Sequence, residues 1–245
     1  MSLFVSACAS DHGTINGQPL TNVGEVAPTL LESIEPLNIL IFGGTSGIGL
    51  ETTKLALSRG HRVTSITRHP ERMSLEHINL TNLKGDITKR DTFNLLIEGK
   101  DVIVSTIGLG PGRKKVTVYS EGMKNVLAAM NQFKVTRVLT ISGIGAGDSK
   151  GHGGFFYDQI LNPFLLKQDY ADKERQEAIL RSSDSNWTIV RPGFLTDESS
   201  AKNYRVIQNM EGIISGDITR ADVAHYLLAA IEQSNNVGET VFLSN

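Results

Sequence analysis

The run Leu37-Asn38-Ile39-Leu40-Ile41-Phe42-Gly43-Gly44-Thr45-Ser46-Gly47-Ile48-Gly49 decides the fold of this chain. Its apolar first half reads as a buried strand that stops at Phe42, where glycines begin. Beyond them Ile48, Leu50, Thr52, Leu55, Ala56 and Leu57 recur at spacings that suit a helix packed on a sheet. Strand, glycine turn and helix in that order open a dinucleotide site. Gly43 gives the chain its reversal, Gly47 leaves the backbone bare for a pyrophosphate, and Gly49 lets helix and strand pack closely. The helix then presents free N–H groups and a positive dipole end to the phosphates, with the Thr45 and Ser46 hydroxyls as further donors.

Working outward, the 245 residues suffice for one large α/β domain. A net charge of −2 gives no electrostatic reason to expect nucleic acid or a membrane surface as partner. The basic run Arg113-Lys114-Lys115 is short and reads as a solvated loop tip. One cysteine, Cys8, excludes an internal disulfide, and no Cys/His ligand spacing points to a metal. No apolar run is long enough to span a bilayer. Residues 1–36 read as a poorly structured or draped extension. Val5-Ser6-Ala7-Cys8 resembles the end of a lipoprotein signal but lacks the basic start and apolar core. The expectation is a soluble, cytoplasmic protein, a monomer or small homo-oligomer, whose single domain spans residues 37–245.

From Leu37 onward strands alternate with helices, which predicts a Rossmann-like, doubly wound, mostly parallel sheet. The second strand, Arg62 to Thr67, ends at Arg68. An acidic residue there would bind the free ribose 2′-hydroxyl of NAD, whereas arginine accommodates the 2′-phosphate of NADP. Arg68 and Arg72 together can grip one phosphate, so NADPH is expected over NADH; the other reading is a pair of solvated loop arginines. Asp86 and Ile87 follow a short third strand, Leu80 to Leu83. Asp86 can accept from the adenine amino group while Ile87 covers the ring, and it can equally cap a helix running through Phe93, Leu95 and Leu96; the two roles are not exclusive, and proximity to adenine is the expectation.

The fourth strand, Asp101 to Gly108, carries Thr106, Ile107 and Gly108 to the ribose on the nicotinamide side, and Leu109 to Gly112 makes a loop over the site. Val116 to Phe133 reads as a core helix. A fifth strand, Val138 to Ser142, delivers Ser142 to the same edge, to bond a substrate oxygen or the nicotinamide amide, or merely to cap the strand. The glycine-rich stretch from Gly143 to Pro163, with Phe155, Phe156, Tyr157 and Ile160, suits a cover for a flat substrate, and its His152 reads as solvated. Ala221 to Ile231 is expected as a helix, Asp222 as a charge at its start, and Thr240 to Leu243 as a final edge strand.

These residues resemble the atypical short-chain dehydrogenase/reductase superfamily, and within it the NADPH-dependent flavin reductase and biliverdin-IXβ reductase group. Besides the glycine turn, the segments Thr117 to Gly122, Asn125 to Met130, Trp187 to Gly193 and Gly216 to Ala224 carry the likeness. It implies that Gly43, Thr45, Ser46, Gly47 and Ile48 hold the pyrophosphate, Arg68 and Arg72 the 2′-phosphate, and Asp86 and Ile87 the adenine. It also implies that Ser142, Pro192, Gly193 and Phe194 border the nicotinamide and that Lys173 stands beside its ribose, so that Ser142 and Lys173 are the catalytic candidates.

The chain departs from the pattern in three places. Tyr170 precedes Lys173 by three residues where the tyrosine-dependent branch has four, Ser46 stands where glycine is common, and Gly143 stands where many relatives carry a hydroxyl. The leading expectation is therefore hydride transfer from NADPH to a planar acceptor such as a flavin, quinone or related conjugated ring, which needs no positioned tyrosine. The alternative is a dinucleotide-binding redox sensor of the NmrA type, without turnover. A nucleotide-sugar epimerase fits less well, because Tyr170 and Lys173 lack the required spacing.

Overall fold

The central strands between Asn38 and Ile141 place alternate side chains on opposite faces of one sheet and are buried on both, whereas the edge strand at Leu80–Lys84 has no buried residue. The computed structural model describes residues 35–109, 116–147, 166–200, 202–211 and 213–245. In chain order the elements are β1 (Asn38–Phe42), α1 (Gly47–Ser58), β2 (Arg62–Thr67), β3 (Leu80–Lys84), β4 (Val102–Ser105), α2 (Val118–Phe133), β5 (Arg137–Ile141), α3 (Lys167–Arg181), β6 (Asn186–Pro192), β7 (Phe194–Thr196), β8 (Arg205–Ile207), β9 (Asp217–Thr219), α4 (Arg220–Glu232) and β10 (Glu239–Ser244). The main sheet runs β3-β2-β1-β4-β5-β6-β10-β8, with all pairings parallel except that of β10 with β8. This is the Rossmann-like, doubly wound α/β sheet that the glycine turn predicts.

The alternation is visible in the core. Ile39, Ile41, Val102, Val104 and Leu139 pack into one apolar cluster, to which α4 adds Val223, Leu227 and Leu228. Leu40, Phe42, Ile103 and Val138 point the other way, into a cluster completed by Met123, Val126 and Met130 of α2 and Leu180 of α3. Burial on both faces is what makes these strands nearly continuous hydrophobic runs. Helices α1 and α4 pack together on one side, α2 and α3 on the other.

Two expectations need correction. No α-helix follows Asp86: only 3₁₀ turns form, at Arg90–Thr92 and Asn94–Ile97. The Asp86 carboxylate caps no helix but accepts from the Thr88 N–H at 2.9 Å and hydroxyl at 2.8 Å, and the Thr92 hydroxyl donates to the Lys89 carbonyl at 2.7 Å. These local side-chain bonds compete with helix formation. The final strand is also not an edge, because β10 lies between β6 and the antiparallel β8.

Residues 1–34 with Cys8, the tip 110–115 with Arg113 to Lys115, and the stretch 148–165 with His152 and Phe155 to Ile160 lie outside the described residues. Among those described, no helix is long and apolar enough to cross a membrane.

Candidate functional site

The carboxyl ends of β1, β2, β3 and β4 open into a cleft of about 200 Å³. Gly43, Thr45, Ser46, Arg68, Arg72, Asp86, Ile87, Thr106, Ile107 and Gly108 all line it. Sequence order scatters these ten residues over more than sixty positions; parallel pairing of β1 with β2 and β4, and of β2 with β3, gathers them on one edge.

The turn out of β1 is shaped by steric necessity. Gly43 sits at φ +87°, and its N–H is already donated to the Ile66 carbonyl at 3.0 Å, so it supplies conformation rather than a donor. A Cβ on Gly49 would fall 2.2 Å from the Gly43 carbonyl oxygen, which is the close helix–strand approach expected of it. Ser46 is the N-cap residue of α1, yet its hydroxyl makes no cap bond, and the first turn of α1 holds no acidic side chain. The positive end of that helix is therefore not neutralised locally, and an exposed hydroxyl stands beside it. The side chain of Ile48 is buried in the core, so only its backbone faces this end.

At the end of β2 the loop brings two arginines to the cleft. Arg68 and Arg72 line the cleft, whereas Glu71 lines a separate groove with Met73 and Leu75 and pairs with His69 at 3.0 Å. His69, the partner of Glu71, also lines the cleft, and the Glu71 backbone N–H, together with the charges of His69 and Arg72, holds the Glu71 carboxyl below its ordinary value. Asp86 lies across from the two arginines. Burial works to raise its pKa, but the two bonds from Thr88 and the positive charge of Arg68 outweigh burial and hold it below the usual aspartate value. The Thr106 hydroxyl is committed to the Phe42 carbonyl at 2.9 Å and ties β4 to β1. Gly108 is open, with nothing within 4 Å of where a Cβ would stand.

Ser142, Lys173, Pro192, Gly193 and Phe194 do not line that cleft; they lie farther along the edge, at the ends of β5 and β6 and on α3. The Ser142 side chain is buried, and its hydroxyl has no hydrogen-bond partner among the described residues. Lys173 Nζ donates to the Ser142 carbonyl at 2.7 Å and stands 5.4 Å from the ring centroids of both Tyr119 and Tyr170. Burial pushes the Lys173 ammonium down to about 8, against the opposing charges of Asp169 and Glu177. Burial and then the Asp169 charge push the Tyr119 phenol far above its ordinary value, so it stays protonated. Gly193 donates to the Leu243 carbonyl at 2.9 Å, and Phe194 packs near Ile144 and Phe242.

Gly143 now has a physical reason. A Cβ there would come within 3.1 Å of the Tyr170 ring and hydroxyl, and one on Gly145 within 2.7 Å of the same ring. The two glycines are the bed on which Tyr170 lies. Three further contributors carry no local sequence signal. Asp172 caps α2 from α3. Glu177 holds the buried Arg191 through two bonds, at 3.0 and 2.6 Å, and so ties α3 to β6. Arg220, at the start of α4, lies against Gly47. Asp222 closes the cap of α4 with Thr219, the start-of-helix position read from sequence.

The donor set fits a dinucleotide. The cleft has an uncapped helix start, a bare glycine at Gly108 and two arginines, Arg68 and Arg72. The comparisons with known proteins point the same way. The chain is 26% identical over 208 residues to a protein of Bacillus subtilis named as the uncharacterized sugar epimerase YhfK, covering 81% of this chain and 90% of that one. Its fold is similar to that of ChuY from Escherichia coli O157:H7, described as an anaerobillin reductase, with a TM-score of 0.72 and 22% identity over 84% of this chain and 96% of that one. It is also similar to a short-chain dehydrogenase/reductase from Veillonella parvula solved with NADP, with a TM-score of 0.71 and 16% identity over 85% and 94% of the two chains. At these identities the structural likeness carries the fold. A family model described as NAD(P)H-binding matches residues 43–234, and with the glycine turn and its cleft inside that span, the chain belongs to the NAD(P)H-binding family.

Proposed function

We propose that this protein is an NADPH-dependent oxidoreductase that passes hydride to a planar conjugated acceptor such as a flavin or quinone, in the cytoplasm where reduced cofactor is supplied. The observation that carries the choice of cofactor is that two arginines, Arg68 and Arg72, line the cleft at the end of β2, where no acidic residue of that loop lines it. When bound, NADPH supplies the hydride. The chain's own residues bind and orient. The turn from Thr45 to Ile48 takes the pyrophosphate, Arg68 and Arg72 take the 2′-phosphate, and Asp86 and Ile87 take the adenine.

At the other end Lys173 holds the ribose, and the unpartnered Ser142 hydroxyl donates to the carboxamide or to an acceptor oxygen, with Pro192, Gly193 and Phe194 bordering the ring. A conjugated acceptor delocalises the charge it gains and takes its proton from water. A site whose tyrosine is packed against Gly143 and Gly145 is therefore sufficient. The test is NADPH oxidation followed by absorbance over a panel of flavins and quinones, with Arg68→Glu as control. Turnover that prefers NADPH and is lost in the control supports the reading, whereas tight binding without turnover across the panel favours a redox sensor.

A further inference from the structure

Gly47 leaves an empty volume at the first turn of α1, and one side chain borders it. A Cβ built there would lie 3.7 Å from Arg220 Nε and 3.8 Å from Arg220 Cδ, the nearest described atoms beyond its chain neighbours and its own helix backbone. Gly47 is the residue whose missing side chain opens the backbone to a pyrophosphate. The side chain nearest that opening is thus Arg220, delivered from the far end of the chain; Gly47 and Arg220 lie beside the cleft-lining Thr45 and Ser46 rather than among the lining residues themselves.

The position of Arg220 is fixed from behind. The Thr219 hydroxyl accepts from the Asp222 N–H at 3.0 Å and donates to its carboxylate at 2.9 Å, which sets the first turn of α4. The same carboxylate accepts from the Ser200 hydroxyl at 2.5 Å and the Lys202 N–H at 2.9 Å. This ties the chain just past Asp197 to α4. Arg220 Nη1 donates to Asp197 at 2.6 Å, and the Asp197 side chain is 86% exposed.

An ion pair this open to water is worth little, whereas a guanidinium meeting a phosphate at a helix start makes charge-assisted, potentially bidentate bonds. The α1 dipole offers the two pyrophosphate charges only about half a unit of positive charge. We infer that Arg220 is a pyrophosphate-binding residue, parked on Asp197 in the free protein and exchanging that carboxylate for the phosphates when a dinucleotide binds. The inference rests on the dinucleotide reading of the cleft. Arg68 and Arg72 would sense only the 2′-phosphate, but Arg220 grips what NADPH and NADH share.

Calorimetric titration of NADPH, NADH and adenosine 2′-phosphate tests this on the full chain and on Arg220→Gln, Arg220→Lys and Asp197→Asn. Arg220→Gln is expected to weaken NADPH and NADH alike, by roughly ten- to hundredfold, and to leave adenosine 2′-phosphate unchanged. Arg220→Lys keeps the cation and loses only a few-fold. Asp197→Asn frees the guanidinium and tightens both dinucleotides by roughly two- to fivefold. Dinucleotide affinities unchanged in a folded Arg220→Gln would overturn the inference while leaving the cleft reading intact. Should Arg220→Gln not fold, a loss rather than a gain of affinity in Asp197→Asn would overturn it equally. A wild-type chain that binds neither dinucleotide removes the cleft reading and this inference with it.

Discussion

The Asp172 carboxylate on α3 accepts the backbone N–H of Tyr119 at 2.8 Å and so caps α2 from a different helix. It also accepts from the Ser120 N–H at 3.3 Å and from the Ser120 hydroxyl. Thr117, the residue in the cap position itself, makes no side-chain cap bond. The first turn of α2 is therefore held by the residue immediately before Lys173, and the packing of two helices and the placing of the lysine become one event.

Asp172→Ala leaves the Tyr119 and Ser120 amides buried without acceptors. The expected loss is about 2–4 kcal/mol, read from urea unfolding. A loss under about 0.5 kcal/mol would show that the cap is dispensable.

Gly49→Ala and Gly108→Ala separate fold from ligand. The first drives a Cβ to within 2.2 Å of backbone and is expected to cost more than about 2 kcal/mol of stability. The second meets nothing within 4 Å, so the fold is retained, but the methyl enters the cleft. Gly108→Ala should unfold within a few degrees of wild type and bind NADPH at least about tenfold more weakly. Equal affinity would take Gly108 out of the site.

Lys173 should write itself into the pH profile. Its ammonium is pushed down to about 8, so it loses its proton as pH rises through that value. If the charged form holds the ribose, kcat/KM falls above about pH 8 in wild type, and that limb is absent in Lys173→Met. Stability moves oppositely. Between about 8 and the ordinary lysine value of 10.5 the unfolded chain binds more protons than the folded one, so wild type gains stability relative to the variant as pH rises through that window.

The sheet was legible where pattern is local. Ile39 to Phe42 alternate between two buried faces, and the glycines after them can be read as a turn without any long-range information. Arg68 was legible because a strand terminus fixes it in space. The helix expected after Asp86 is absent because an acidic residue ahead of apolar ones signals a helix start as readily as a turn, and only the bonds of Thr88 and Thr92 decide for the turn. Strand β8 is three residues long, too short for any period, so β10 read as an edge. Asp172 and Arg220 act on residues fifty-three and more than a hundred and seventy positions away, at Tyr119 and Gly47, and no spacing rule reaches them.

The measurement that tests the central claim most directly is the affinity of the wild-type chain for NADPH and for NADH, taken side by side by calorimetry, and again after Arg68→Glu. The account predicts that NADPH binds at least about tenfold more tightly and that Arg68→Glu abolishes the preference while NADH affinity stays within a few-fold. Equal affinity for the two nucleotides in wild type, or binding of neither, would contradict it.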